Sequence, residues 1–156
     1  MTEQEYCRRA EELKPRLYRT ALACLGGESA AVDAVDEAVY KGLLACSRLR
    51  REEAFAGWMG RILMNVCNDE LRRRRREMPV DTLPERGVED FDALPLMEAL
   101  AKLPQGLREV VTLRHLTGLT VAETARVLSI PQGTAASQER RALQLLRLEL
   151  SEEGAP

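Results

Sequence analysis

No other stretch restricts the fold of this chain as tightly as Leu119 to Ser137, LTVAETARVLSIPQGTAAS. Thr120 is placed to cap a helix, and Glu123 three residues later completes a capping box. Val121, Ala125 and Leu128 then fall on one face of that helix. Pro131 cannot continue it, and Gly133-Thr134 opens the next. Ala125 is small enough to let two helices cross closely. A short amphipathic helix, a tight turn and a second helix are the grammar of a helix-turn-helix, whose second helix can enter a DNA major groove. An ordinary helical hairpin inside a core has the same grammar.

The remaining 137 of the 156 residues are also helix-like: Ala, Leu, Glu and Arg dominate, and β-branched residues are too scattered to build a sheet. The expectation is an all-α protein. No apolar run approaches a membrane span and no signal peptide is evident, so a cytoplasmic protein without membrane insertion is expected. Cys7, Cys24, Cys46 and Cys67 are widely spaced, form no metal-ligand pair, and read as buried free thiols.

The net charge of −2 hides an asymmetry. Ser47 to Arg76 holds nine arginines against four acids, whereas Glu77 to Pro95 holds six acids against one arginine. Two surfaces with different partners are implied.

Periodicity predicts a first helix from Thr2 to Leu25, capped by Thr2 with Glu5, with Leu13, Leu17, Ala21 and Cys24 inward. Pro15 predicts a kink or break near Lys14. Ser29 is expected to cap a second helix to about Cys46, with Val32, Val35, Val39, Leu43 and Cys46 inward. A basic loop follows, Ser47 to Glu52. A third helix is expected from about Glu53 to Arg76, with Phe55, Trp58, Met59, Ile62, Val66 and Cys67 toward a core. Residues 77–95 carry three prolines and little periodicity, and read as a flexible acidic linker. Beyond it come a short helix, Leu96 to Lys102, and another opened by Pro104 with Leu107, Val110, Val111, Leu113 and Leu116 apolar and Gly118 as its stop. The helix after Gly133 extends toward Leu150 through Ala135, Ala142, Leu143 and Leu146. Ser151 to Pro156 reads as a frayed tail.

With these strings in this order, about Leu13 to Leu150 resembles bacterial RNA polymerase sigma factors of the small extracytoplasmic-function (ECF) class of the sigma-70 family. Region 2 is suggested by Leu17-Tyr18-Arg19, by Asp33 to Ala38, and above all by Phe55 to Arg73. Region 4 is suggested by Ala99 to Pro104, by Arg108 to Arg114, and by the helix-turn-helix. The resemblance implies a region 2-like module over 1–76, a linker over 77–95 and a region 4-like module over 96–156. It implies core RNA polymerase and promoter DNA as partners, with an anti-sigma factor as a further one. The expected function is promoter recognition and transcription initiation, without catalysis, cofactor, metal or small-molecule substrate.

The resemblance also assigns residues. Asp33, Asp36, Glu37, Val39, Tyr40 and Lys41 would dock a coiled coil of the largest polymerase subunit; the charges alone favour a solvated face instead. The family usually carries Gln where Asp36 stands and an aromatic where Val39 stands. Arg48, Arg50, Arg51, Trp58, Arg61 and Asn65 would meet the opened −10 element. The Trp58 indole could stack on a base, or simply pack in the core. Arg72 and Arg73, within the run to Arg76, could bind phosphates or merely complement the helix dipole. Thr134, Ser137, Gln138, Arg140 and Arg141 would serve the −35 element, with Ser137 and Gln138 able to read base edges. Here the chain departs most from the family, which usually has basic residues at Ala136 and Gln138 and an apolar one at Glu139.

Two other readings compete: a helix-turn-helix regulator independent of polymerase, and a degenerate sigma-like interaction protein that reads little DNA. An enzyme is not expected, since there is no Gly-rich phosphate loop or metal constellation, and the single histidine, His115, lies beside Arg114 in a helical segment.

Overall fold

The computed structural model describes residues 1–77 and 94–153, and among them only helices and connecting turns occur. The expected linker lies almost wholly outside the described residues. Its two ends are helical: Glu77 closes one helix and Leu94 opens another.

Helix α1 spans Glu3–Leu25. The Thr2 hydroxyl accepts the Glu5 amide at 3.2 Å, and Glu3 and Glu5 place negative charge in the first turn. Contrary to the expected break, α1 runs continuously through Pro15. Pro15 and Glu11 are both exposed, so the Glu11 carbonyl that Pro15 leaves without an amide partner can bond water. Leu13, Leu17 and Ala21 on the opposite side hold the helix in the core. It ends at Gly26, whose φ of 79° is left-handed and lets its amide reach the Leu22 carbonyl.

Helix α2 spans Glu28–Ala45 and starts from Gly27, not from Ser29, which lies inside its first turn. The extended Gly27 directly after the left-handed Gly26 turns the chain two residues earlier than a Ser29 cap allows. The inward face of α2 is small, made by Ala31, Ala34, Val35, Ala38 and Gly42; Val32 points outward and Val39 and Leu43 are half-buried. Short 3-10 turns at Cys46–Arg48 and Glu52–Ala54 lead into α3, Phe55–Glu77. Tyr6, Leu17, Leu25, Met59 and Leu63 form the centre of the first core. The Tyr6 hydroxyl donates to the Val39 carbonyl at 2.6 Å, and its ring meets Phe55 and Trp58 edge-on with centroids 6.0 and 6.3 Å away. Cys24, Cys46 and Cys67 are buried thiols as expected, but Cys7 is exposed.

Helix α4, Leu94–Lys102, is closed by Arg108, which donates to the carbonyls of Leu100, Ala101 and Leu103. Helix α5, Gln105–Thr112, continues into one π turn, Leu113–Thr117, and stops at the left-handed Gly118. Helix α6, Val121–Leu128, has the full capping box of Thr120 and Glu123. Ser129, at φ 56°, supplies the left-handed turn, and its amide and that of Ile130 satisfy the last α6 carbonyls. Helix α7 spans Gln132–Glu153. It therefore includes the first residues of the expected tail, and Leu150 is exposed rather than inward. Ala99, Leu100, Leu103, Leu107, Val111, Ala142 and Leu146 form a second core, joined by Ala23 from α1.

The two modules pack together along a seam. Leu113 and Leu119 are buried in the first core, where Gly60 leaves room: a Cβ there would lie 3.2 Å from a Leu119 methyl. At the centre of the seam the Thr20 and Thr117 hydroxyls meet at 2.6 Å, and both residues are fully buried.

Candidate nucleic-acid and partner interface

Helical periodicity on α2 separates two faces. The small residues bury against α1 and α3, and this turns Asp33, Asp36, Glu37, Tyr40, Lys41 and Leu44 to solvent. Tyr40 and Leu44 are 62% and 66% exposed, and Val32 is 47% exposed. Three acids interleaved with three exposed apolar side chains make an amphiphilic face. Lys41 pairs with Glu37 at 3.1 Å, which leaves Asp33 and Asp36 as the carboxylates of that face without an ion pair among the described residues. Val39 is half-buried at its edge, its carbonyl taken by Tyr6.

The arginines before and along α3 fall into three situations. Arg48, Arg50 and Arg51 are exposed beside the 3-10 turns and form no ion pair among the described residues. Arg72 and Arg73 are exposed but occupied: Arg72 meets Asp69 at 3.1 Å, and Arg73 meets Glu70 at 2.7 Å and Glu77 at 2.6 Å. The Glu70 carboxyl is held below its usual range, first by the Arg73 hydrogen bond. A phosphate at Arg73 must therefore displace carboxylates from the same guanidinium. Arg61 lies on the seam, donating to the Arg126 carbonyl of α6. One turn earlier, a Cβ on Gly57 would lie 3.5 Å from the Glu123 carboxylate. The first helix of the helix-turn-helix thus covers one edge of α3. Asn65 is exposed beyond it, and Trp58 is half-buried against Tyr6 and tilted on Phe55 at 6.2 Å, so packing accounts for most of its indole.

On α7, the buried Ala135 and Ala142 set the inner face. Ser137, Arg140 and Arg141 are exposed, and Thr134, Ala136 and Gln138 are half-buried. The Ser137 hydroxyl donates to the Thr134 carbonyl at 3.2 Å and keeps its lone pairs for an incoming donor. In the sequence Glu139 stands out only as a departure from the family pattern. In the structure Glu139 accepts from Arg114 Nε at 2.7 Å and lies 3.6 Å from His115, tying α7 to the π turn. Arg114 also donates to the Leu119 carbonyl at 2.6 Å. Arg114 thus offsets the negative charge that Glu139 brings to this side of α7. The pairing was hidden because Arg114 and Glu139 lie 25 positions apart. The Glu123–Gly57 and Arg126–Arg61 contacts were equally unannounced, since they arise only when the modules meet.

A family model described as Sigma-70 region 2 matches residues 10–77, and one described as Sigma-70, region 4 matches residues 93–146. The RNA polymerase sigma factor SigV of Bacillus subtilis is 30% identical over 145 residues, covering 90% of this chain and 87% of the relative. The ECF RNA polymerase sigma factor SigM of Mycobacterium tuberculosis is 30% identical over 132 residues, covering 81% and 67%. Among solved structures, the sigma factor RpoE of Bartonella quintana, co-crystallised with the anti-sigma factor NepR, superposes with a TM-score of 0.83 at 20% identity, over 95% of this chain and 98% of that one. CnrH in complex with the cytosolic domain of CnrY gives 0.76 at 21% identity, over 97% and 90%. At those identities the likeness concerns the fold.

Proposed function

This chain belongs to the extracytoplasmic-function class of the sigma-70 family, and from that premise we propose how its surfaces divide the work of a sigma factor. It is a transcription initiation factor that directs promoter recognition with RNA polymerase, and it is not an enzyme. The observation that carries the assignment of surfaces is the α2 face, where Tyr40 and Leu44 stand in solvent among Asp33, Asp36 and Glu37. Core polymerase docks there: apolar side chains supply burial, and the acids supply register against a basic partner surface. Residues 1–76 serve core binding and the −10 element, residues 96–156 serve the −35 element, and residues 77–95 connect them.

Arg48, Arg50, Arg51, Arg61, Asn65 and Trp58 meet the opened −10 strand, and Arg72 and Arg73 meet phosphates. Because α6 covers the Gly57–Arg61 edge of α3, the seam parts before that edge meets DNA. Thr134, Ser137, Gln138, Arg140 and Arg141 face the −35 groove with few charges, so this module relies on polymerase to hold it at the promoter. An anti-sigma factor that holds the modules together is a further partner; the Bartonella relative is solved with one. No described helix is long and apolar enough to cross a membrane, and a cytoplasmic site of action follows from the partners.

The test is core-enzyme binding and run-off transcription by the full chain and by the triple variant Asp33→Lys, Asp36→Lys, Glu37→Lys. Like charge across the interface costs several kcal/mol, more than about a hundredfold in Kd. Binding should be lost with helicity unchanged. Retained binding would remove α2 from the interface.

A further inference from the structure

The basic loop between α2 and α3 is tied to the protein unevenly. Cys46 and Phe55 at its two ends are buried, and Leu49 is half-buried against the first core. The stretch from Arg50 to Glu53 has no such apolar tie, since all four residues are exposed. Its link to the rest of the module comes from α1. Arg9 donates through Nη2 to the Glu52 carboxylate at 3.0 Å and through Nη1 to the Glu52 backbone carbonyl at 3.2 Å. The Met1 nitrogen, just ahead of α1, donates to the Leu49 carbonyl at 2.8 Å. Met1 and Arg9 both precede residue 10, where the Sigma-70 region 2 match begins.

Arg9 is itself oriented. Its Nε donates to the Glu5 carboxylate at 2.9 Å, so all three guanidinium nitrogens have an acceptor. A planar fork engaged on each nitrogen fixes direction as well as distance, which a lysine ammonium does not. The arrangement has two consequences for the loop. A loop that orders only when a ligand arrives loses conformational entropy at that moment, and one already ordered does not. The Glu52 carboxylate is also taken up by Arg9, which keeps it from pairing with its neighbours Arg50 and Arg51. Those two arginines accordingly form no ion pair among the described residues.

We propose that Arg9, oriented by Glu5, is a positioning residue for recognition of the opened promoter strand: by holding Glu52 it orders the basic loop before DNA arrives and leaves Arg50 and Arg51 free to meet it. This rests on the reading that the loop meets the −10 strand. Arg9 itself touches no DNA and acts through Glu52.

The test uses the full chain, free and as holoenzyme. Hydrogen exchange at the amides of residues 47–54 reads the order of the loop directly. Arg9→Ala should speed it severalfold while the amides of the first core keep their rates. Glu52→Ala should do the same, and the double variant should exchange no faster than either single one. Binding is read with holoenzyme and a randomised single-stranded DNA oligonucleotide, the bound strands being sequenced. Arg9→Ala should weaken binding severalfold and flatten the base preference, at an unchanged slope of log affinity against log salt. Arg51→Ala should lower that slope by about 0.7, the value of one phosphate contact on a single strand. Loop exchange at the wild-type rate in Arg9→Ala, or wild-type binding and base preference, overturns the proposal. So does a slope lowered by about 0.7 in Arg9→Ala, which would make Arg9 a direct phosphate contact. If Arg50→Ala and Arg51→Ala both bind the strands as the wild type does, the −10 reading of the loop fails first and the proposal with it; faster loop exchange in Arg9→Ala would then mark a structural tie alone.

Discussion

The seam between the modules makes a prediction with an unusual order of costs. Thr20 and Thr117 are both fully buried and their hydroxyl oxygens are 2.6 Å apart. The Thr20 hydroxyl also donates to the Arg16 carbonyl at 2.8 Å. A hydroxyl has one proton, so Thr20 accepts from Thr117. Thr117's other acceptor, the Thr112 carbonyl, is 3.4 Å away. Thr20→Val therefore strands the Thr117 proton on a poor partner and should cost about 1–2 kcal/mol. Thr117→Val leaves the Thr20 donation intact and should cost only about 0.5 kcal/mol. Removing both hydroxyls leaves no orphan, so the double variant should cost less than the sum and no more than Thr20→Val alone.

Urea unfolding at constant m reads these values directly; for Thr20→Val the midpoint should fall by about 0.5–1 M. Because the lost bond bridges the modules, up to about 1.4 kcal/mol should appear as a tenfold larger population of the parted arrangement, and as correspondingly tighter promoter binding by the holoenzyme. Thr117→Val costing as much as Thr20→Val, or additivity in the double variant, would refute the donor assignment. Unchanged promoter affinity of the holoenzyme at reduced stability would refute parting of the seam as the step that admits DNA.

Gly42→Ala should destabilise by about 1–3 kcal/mol, although Ala is worth up to about 1 kcal/mol over Gly in a helix. Its Cβ would overlap the Tyr6 hydroxyl and approach Tyr6 Cζ to 2.9 Å and Met59 Sδ to 3.0 Å, whereas Gly106→Ala meets nothing within 4 Å and should be neutral or stabilising in the same denaturation assay. Burial pushes the Tyr6 hydroxyl from 10.0 up to about 12, so its contribution is complete below pH 10 and is lost as pH rises toward 12; Tyr6→Phe should flatten stability against pH in that window alone. Ala136→Lys with Gln138→Arg should steepen the slope of log affinity against log salt for promoter binding by the holoenzyme by about 1.8, at about 0.9 per added phosphate contact; an unchanged slope would place these side chains outside the groove.

Local signals were legible wherever the physics was local. The Thr120–Glu123 box, the Thr2 cap and the Gly118 stop involve atoms within one turn, and each stands where the sequence placed it. Signals failed where a longer-range term decided. Pro15 looked like a kink or break, but buried neighbours and the exposure of Glu11 let α1 continue through it. Val32 looked inward, but α2 packs through its alanines and Gly42, because Tyr6 needs that space. Cys7 looked like its three buried counterparts, but the inward stripe of Leu13, Leu17 and Ala21 continues back through Ala10 to Tyr6 and leaves Cys7 beside it in solvent.

The sequence by itself determined the helices, their caps, the helix-turn-helix and the order of strings that marks the family, since hydrogen bonding and side-chain periodicity within a helix depend on near neighbours in the chain. Only the tertiary structure decided which arginines are occupied, that Glu139 answers Arg114, that α6 lies over the Gly57–Arg61 edge of α3, and that Thr20 meets Thr117. Each of those facts joins residues far apart in the chain, and such pairs acquire an interaction energy only when packing brings them within a few ångströms.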